Sequence, residues 1–534
     1  MTALSVVVVV RLEAPEVLHH EALAFACQHA THRSGRAETS RAPEAAPGTS
    51  RRLEGAQTTW GVEAMRDTTT RAGVVLDTGG ANVRIATDGA VRCMPNAIAR
   101  TRPGTARQVL VGNNIEEQCN DYGGLQLRLP VDRGLVVDWP AQKAVWDQAV
   151  SKELGIRPSD TFGALAGRTV IATEPYFVLP EQQRAFEALL FEWYGAQALW
   201  RAVPAQLVPY ALDVRPECVL VVDLGHSYTH AVPIVQDTVQ WHAVKRLDVC
   251  GKVITSLLKE MFSFRQWNMM DETFLTEKMK SRSCFVAAAP QCASDRPRDW
   301  PFSYLVDLCH ESPDNDIVQE YVLPDYAEPE QARDAETKYG YIRTGPGARG
   351  TKLPDDPDAA LDTFIAGDAS TPRRATKNTD EQVLILGQER YELLEHYFAP
   401  QRIGLEQGSL AELVATSISL VEPPYQDLMW SHIILVGGGA SAMGMQRRLH
   451  AELRATAPID VPVDVRIPGD PGNAAAAGAV ALLTAKSGPD AKLLASRIVK
   501  SDEWKRAGGS ASGDRGGAAI GDSRFGGWNS AVSI

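Results

Sequence analysis

The chain has 534 residues, 44% hydrophobic and 22% charged, with 54 Lys and Arg against 66 Asp and Glu for a net charge of -12. That is room for roughly two to four globular domains, and the acidic balance argues against direct, nonspecific gripping of nucleic acid, which relies on clustered cations. Cys27, Cys93, Cys119, Cys218, Cys250, Cys284, Cys292 and Cys309 form no CxxC pair and no zinc spacing, a usage that suits a reducing compartment.

In chain order, the apolar run Val6–Val10 has no basic residue before it and meets Arg11 and Glu13 almost at once, so no signal peptide is expected. No stretch approaches about 18 uninterrupted apolar residues, and a soluble, intracellular protein with no membrane partner is expected. Residues 1–70, rich in Ala, Arg, Glu, Thr and His without sustained periodicity, read as disordered or as a mispredicted N-terminal extension. The folded part begins at GVVLDTGGANVRIA (Gly73–Ala86), a β-branched run ending in Asp77, a tight turn and a second strand. RTVIATEP (Arg168–Pro175) predicts a further strand. It leads into a helix with Pro180 in its first turn and Phe186, Leu189, Leu190, Trp193 and Tyr194 on one apolar face.

CVLVVDLGHSYTHAVPI (Cys218–Ile234) repeats the opening hairpin, with Asp223 at the strand end. Gly251 then opens a helix whose buried face is read as Val253, Leu257, Leu258 and Met261. Residues 287–380 turn rich in Pro, Asp, Arg and Gly and read as a surface insertion, interrupted by the ordered piece IVQEYVLPDY. QVLILGQERYELLEHYF predicts a strand running into a helix, and HIILVGGGASAMGMQRRL a buried strand, a Gly-rich turn and a helix. The Gly/Ser-rich tail, 507–534, reads as flexible.

Two such hairpins carry the functional reading. Where a buried strand meets its turn, exposed backbone N–H groups and a nearby carboxylate can hold a phosphate and its magnesium ion together. One hairpin is weak evidence, since Asp-x-Gly turns close many ordinary hairpins. A pair, each opening its own half of the chain, is the layout of two related lobes gripping one nucleotide.

The order of an Asp-bearing hairpin, TEPYF (Thr173–Phe177), a second Asp-bearing hairpin ending in THxVP, RLDxxGK, GxER and a strand followed by Gly-Gly-Gly resembles the actin superfamily, from about Gly73 to about Arg506. PVDRGLVVDWPAQKAVWD (Pro130–Asp147), TEPYF, FSFRQWNMMDET (Phe262–Thr273) and YVLPDY (Tyr321–Tyr326) are similar, within it, to the actin-related protein 6 branch. The resemblance implies an α/β actin-like fold of the actin, Hsp70 and sugar-kinase type. Its first lobe would span 71–211 plus about 468–506, and its second 212–467 with the variable insertion at 287–380.

By that resemblance, ATP or ADP with magnesium would contact Asp77, Thr78, Gly79, Gly80, Arg84, Asp223, Gly225, Thr229, His230, Lys280, Gly437, Gly438 and Gly439. Asp77 and Asp223 would hold the metal through water. Departures bear on mechanism. The family's water-orienting glutamine is replaced by Pro204, which has no side-chain donor or acceptor, and Gln206 would need a register shift to substitute. His226 and Tyr228 are expected to crowd the phosphate end, and Ala442 stands where actins place an aromatic residue near the purine. No catalytic residue is expected: the site should hold nucleotide without turning it over.

The resemblance further implies a nuclear, and also cytoplasmic, scaffold subunit of a SWR/SRCAP-type remodeller that exchanges a histone variant into nucleosomes. Its partners would be a small zinc-finger subunit, the motor ATPase and, indirectly or jointly, the nucleosome. The alternatives on this fold are an active ATPase or kinase and a filament-forming cytoskeletal protein. A kinase needs a carboxylate base near the transferred phosphate, and no such motif is found; a filament needs lengthwise self-contacts that a long insertion would obstruct. Trp267, Met269, Met270, Tyr321 and Tyr326 are candidate partner anchors, with core packing as the plainer reading.

Overall fold

The run VVLDT becomes strand β1 (Val74–Thr78), buried from Val74 to Asp77 because both of its faces are covered. β1 pairs antiparallel with β2 (Asn82–Ala86), and β2 with β3 (Arg92–Pro95). On its other side β1 runs parallel to β4 (Thr169–Thr173), which runs parallel to β5 (Ala198–Ala202). The short strand Val499–Lys500 completes the sheet beside β5. Alternation along β1 divides its core contacts. Val74 and Leu76 pack with Val145, Trp146 and Ala149 of helix α1 (Trp139–Leu154), and Val75 packs with Ala476, Ala479 and Leu482 of the later helix Ala474–Thr484.

This computed structural model describes residues 72–508 apart from 88, 102–107, 291–299, 312–314, 316, 327–336 and 344–380. The segments read above as disordered or flexible, 1–70 and nearly all of 507–534, lie outside the described residues, as does most of the insertion. Among the described residues no helix is long and apolar enough to cross a membrane.

The second sheet repeats the plan. β6 (Cys218–Leu224) pairs antiparallel with β7 (Thr229–Val235), whose outer side takes Thr238–Val239 and β8 (Lys245–Leu247). β6 also runs parallel to β9 (Ile433–Val436), and β9 to β10 (Val465–Arg466). The orders β5-β4-β1-β2-β3 and β10-β9-β6-β7-β8 therefore match strand for strand. Leu220, Val222 and Leu224 face a core with helix α3 (Gly251–Arg265), while Val219 and Val221 pack against Tyr176, Val203 and Val208 of the first lobe. That second contact joins the lobes at the base of the cleft.

Three local readings need correction. The buried face of α3 is Ile254, Thr255, Leu258 and Phe262, with Val253, Leu257 and Met261 only partly buried, because the helix sits rotated by about one residue toward the sheet. Helix α2 (Pro180–Ala188) does begin at its proline, but it widens into a π-turn over Leu189–Trp193. Trp193 stays half-buried against the same core as Phe186, Leu190 and Tyr194, with the Lys143 ammonium 3.8 Å from its ring centre. Of the candidate anchors, Met269 and Tyr321 belong to the second-lobe core, while Trp267 and Met270 stay exposed with Phe264 beside them.

A three-stranded sheet in the second lobe orders Tyr341–Ile342, Gln319–Val322 and Val383–Leu386. Its outer strand is covered by side chains. Gln266 donates through Nε2 to Ile385 O (2.7 Å) and accepts at Oε1 from Ile385 N (2.8 Å), and the Trp267 indole donates to Val383 O (3.4 Å).

Candidate nucleotide site

The β1–β2 and β6–β7 turns face each other across a cavity of about 560 Å³. The first side is built by hydrogen bonds from strands beyond its own hairpin. Asp77 Oδ1 accepts from the Thr173 hydroxyl at 2.6 Å, and that hydroxyl oxygen accepts from the Thr78 N–H at 3.0 Å. Asp77 Oδ2 lies 3.3 Å from Arg84, its cross-strand partner, and Arg84 Nε donates to Asn473 Oδ1 at 2.6 Å. The Trp146 indole donates to the Thr78 hydroxyl at 3.1 Å, and Asn96 donates to Gly79 O at 2.8 Å. Thr173 and Asn473, which hold Asp77 and Arg84 in place, are residues the sequence reading missed. Thr173 opens the TEPYF motif, but Asn473 precedes an alanine-rich helix and gives no signal of its own.

The second side is less satisfied. Asp223 borders the cavity, yet protein surrounds it, and burial together with the charge of Asp77 raises its pKa to about 7. Two carboxylates brought together in a poorly solvated cleft repel, and a cation between them removes that repulsion. Two of the cavity glycines, Gly80 and Gly437, have no room for a side chain. A Cβ on Gly80 would lie 2.2 Å from Ser227 Oγ of the opposite turn, and one on Gly437 (φ +85°) would lie 2.6 Å from Leu224 O. Gly438 has open space around it, so its backbone borders the cavity unobstructed.

At the other end, Lys280 lines the cavity, its ammonium donating to Thr255 Oγ1 (2.7 Å) and Gly251 O (3.1 Å). Ala442 lines the same cavity, as do two aromatic residues the sequence reading did not single out, Phe274 and Tyr397. Asp77, Thr78, Gly79, Gly80, Arg84, Asp223, Gly225, Lys280 and Gly437–Gly439 thus share one cavity.

Thr229 and His230 do not share it, which corrects the reading that grouped them with the contacts. Thr229 is fully buried with its hydroxyl spent on Val249 O at 2.8 Å. His230 sits behind Tyr176 and Tyr228, with ring centres 4.4 and 4.5 Å away, and neither of its ring nitrogens has a hydrogen-bond partner. Burial lowers its pKa to about 3, so the ring is neutral. Tyr228 does line the cavity, but its ring also presses on Gly134 of the first lobe, where a Cβ would be 2.2 Å away.

Residues 68–497 match the family model for actin. A relative described as actin-like protein ARP6 from Cryptococcus neoformans is 32% identical over 77% of this chain and 79% of its own length. The chain belongs to the actin family, in its actin-related protein 6 branch. Actin-related protein 6 of Oryza sativa, 31% identical over 74% of this chain and 89% of its own, and that of Drosophila melanogaster, 30% identical with the same coverage, agree.

The actin fold generally holds a nucleotide with a divalent metal, and the residues here fit that pair: apposed carboxylates, glycines at 80 and 437 with no space for a Cβ, and a cavity walled by both lobes. Among the described residues no group of three or more His, Cys, Asp or Glu could hold a metal unaided. Asp77 and Asp223 would hold a magnesium ion together with water and the phosphates of a bound nucleotide, the mixed shell that magnesium prefers. When bound, the cation would neutralise Asp77, Asp223 and phosphate charge together. Pro204 opens a short helix at the cavity wall. Gln206, two residues on, donates to Asp237 O at 3.3 Å and does not border the cavity, so it is not a substitute for the missing amide.

Proposed function

We propose that this actin-related protein holds ATP or ADP with magnesium as a non-hydrolysing scaffold subunit of an ATP-dependent chromatin-remodelling complex. That complex exchanges a histone variant into nucleosomes, and its ATP is hydrolysed by a separate motor subunit. The observation that carries the non-hydrolysing part is Pro204 at the cavity wall. In-line attack on a γ-phosphate needs an oriented water, and proline offers that water nothing. The enclosed, neutral His230 supports the same reading. Glu174, a carboxylate at the cavity wall, is committed to a buried ion pair with Arg201 and is not a free base.

Membership of the actin-related protein 6 branch supports the complex itself, its zinc-finger and motor partners, shared nucleosome contact, and residence in the nucleus and cytoplasm. Two measurements test this. Purified full-length protein should retain adenine nucleotide with magnesium and show no steady ATP turnover. Mass spectrometry of proteins co-purifying with the natively expressed, tagged chain should return a remodelling motor ATPase. Sustained phosphate release by the isolated chain would overturn the first half, and absence of any remodeller subunit the second.

A further inference from the structure

We propose that a latch between the lobes, built by the two motifs that set this chain apart within its superfamily, keeps a bound nucleotide from exchanging freely. The inference rests on the nucleotide reading above and adds what controls residence in the cleft. Tyr122, in the loop before the first-lobe strand Gln126–Arg128, is 1% exposed although no main sheet covers it. Its ring stacks on Phe274 of helix α4 (Thr273–Ser283), with centres 5.5 Å apart and planes 16° apart. It meets Tyr339 edge-on at 4.9 Å and Tyr326 at 6.0 Å. All three partners belong to the second lobe.

The second-lobe tyrosines are themselves anchored, Tyr326 donating to Lys338 O at 2.8 Å and Tyr321 donating to Tyr339 O at 2.6 Å. YVLPDY thus supplies both a member of the cluster, Tyr326, and a strut beneath it, Tyr321. The other motif supplies Glu272, whose carboxylate accepts from the Gly124 N–H at 2.8 and 2.9 Å across 148 residues of sequence. Lys278 and Glu116 form an ion pair over the same seam at 2.9 Å.

The seam is also a wall of the nucleotide cavity. Ala97, Glu116 and Leu127 line the cavity from the first lobe, and Phe274 and Lys278 from the second. The lobes cannot part there without breaking an apolar cluster that contains Ala97, Leu110, Ile115, Tyr122 and Leu275 and a charge-assisted hydrogen bond to backbone. Exchange of a ligand held between two lobes requires such parting, so the latch sets the release rate.

The test uses full-length protein loaded with magnesium and a fluorescent N-methylanthraniloyl ATP, then chased with excess unlabelled ATP. Tyr122→Ala and Glu272→Ala should each speed release by about tenfold or more, the scale expected when a buried anchor is truncated. Phe264→Ser, at an exposed site of the same lobe, should leave the rate unchanged. Thermal melts identify folded variants, and Tyr326→Leu replaces Tyr122→Ala if the latter does not fold. Folded, nucleotide-loaded variants that release at the wild-type rate would overturn the latch alone. Failure of the wild type to take up the fluorescent nucleotide would overturn the nucleotide reading as well, and it shows at the loading step, before any rate is measured.

Discussion

The hairpins β1–β2 and β6–β7 share a backbone plan, a position in matching sheets and a terminal aspartate, but differ in what stands opposite that aspartate. Asp77 pairs across its ladder with Arg84, and Asp223 pairs with His230. Arg84 is a permanent cation in contact with the carboxylate and held by Asn473. His230 is neutral, walled by aromatic rings and without a polar partner. The first hairpin thus carries its own counter-charge, whereas the second leaves a carboxylate whose natural complement is an added cation. The comparison separates what the repeated fold provides from what each copy's side chains decide: the backbone makes two equal cradles, and one residue position makes them unequal in charge.

The largest break in that comparison comes from removing the built-in counter-charge. Arg84→Met should destabilise the protein by about 3 kcal/mol in urea unfolding at neutral pH, since it strands a largely buried carboxylate without its partner. A loss no larger than that of a surface ion pair would show that solvent in the cleft already screens Asp77.

Asp223 should respond the opposite way. Its folded pKa of about 7 lies above the unfolded value of about 4, so between those limits the folded state holds the extra proton. The stability this confers is full below pH 4 and is lost as pH rises through 7. Asp223→Asn should therefore stabilise nucleotide-free protein at pH 7.5, where the wild-type carboxylate is ionised in a buried site. It should also abolish the added melting stability conferred by magnesium nucleotide. Melting curves with and without magnesium ATP check both halves, and an unchanged ligand shift would remove Asp223 from the metal site.

His230→Phe is expected to have the smallest effect, within about 1 kcal/mol at pH 7, because the modest extra bulk of the larger ring is offset by removing two buried, unpaired ring nitrogens from an apolar box. Its signature lies in acid. With a folded pKa of about 3 against about 6.5 unfolded, His230 takes up a proton only on unfolding, so its cost is absent above pH 6.5 and grows as pH falls toward 3. The variant's stability should decline less steeply across that window. Equal slopes for wild type and variant would mean that His230 is hydrated in solution.

The sheets were legible because β-branched runs ending in Asp are local signals, and the Pro180 and Gly251 helix starts are local too. The cavity glycines and carboxylates follow from those elements. The inequality of the two hairpins was not legible in the same way. That His230 faces Tyr176 and not the cavity depends on a residue 54 positions earlier on another strand end. Lys280 was placed in the cleft by resemblance, but its bonds to Gly251 and Thr255 depend on how α3 and α4 pack. The latch joins segments about 150 to 220 residues apart, and no periodicity reports such a pairing. Tyr321 and Tyr326 read equally well as anchors for another protein until their neighbours are known.

The side-chain amide of Gln266 has a consequence for behaviour at high concentration. By occupying both polar groups of Ile385, it stands in for one residue of an adjacent strand, and the neighbouring indole covers Val383 O. An edge so occupied offers no template for a further strand. The segment Val383–Leu386, four consecutive aliphatic residues with the composition of cross-β-forming stretches, is thereby guarded by two adjacent side chains, Gln266 and Trp267, from the loop after α3.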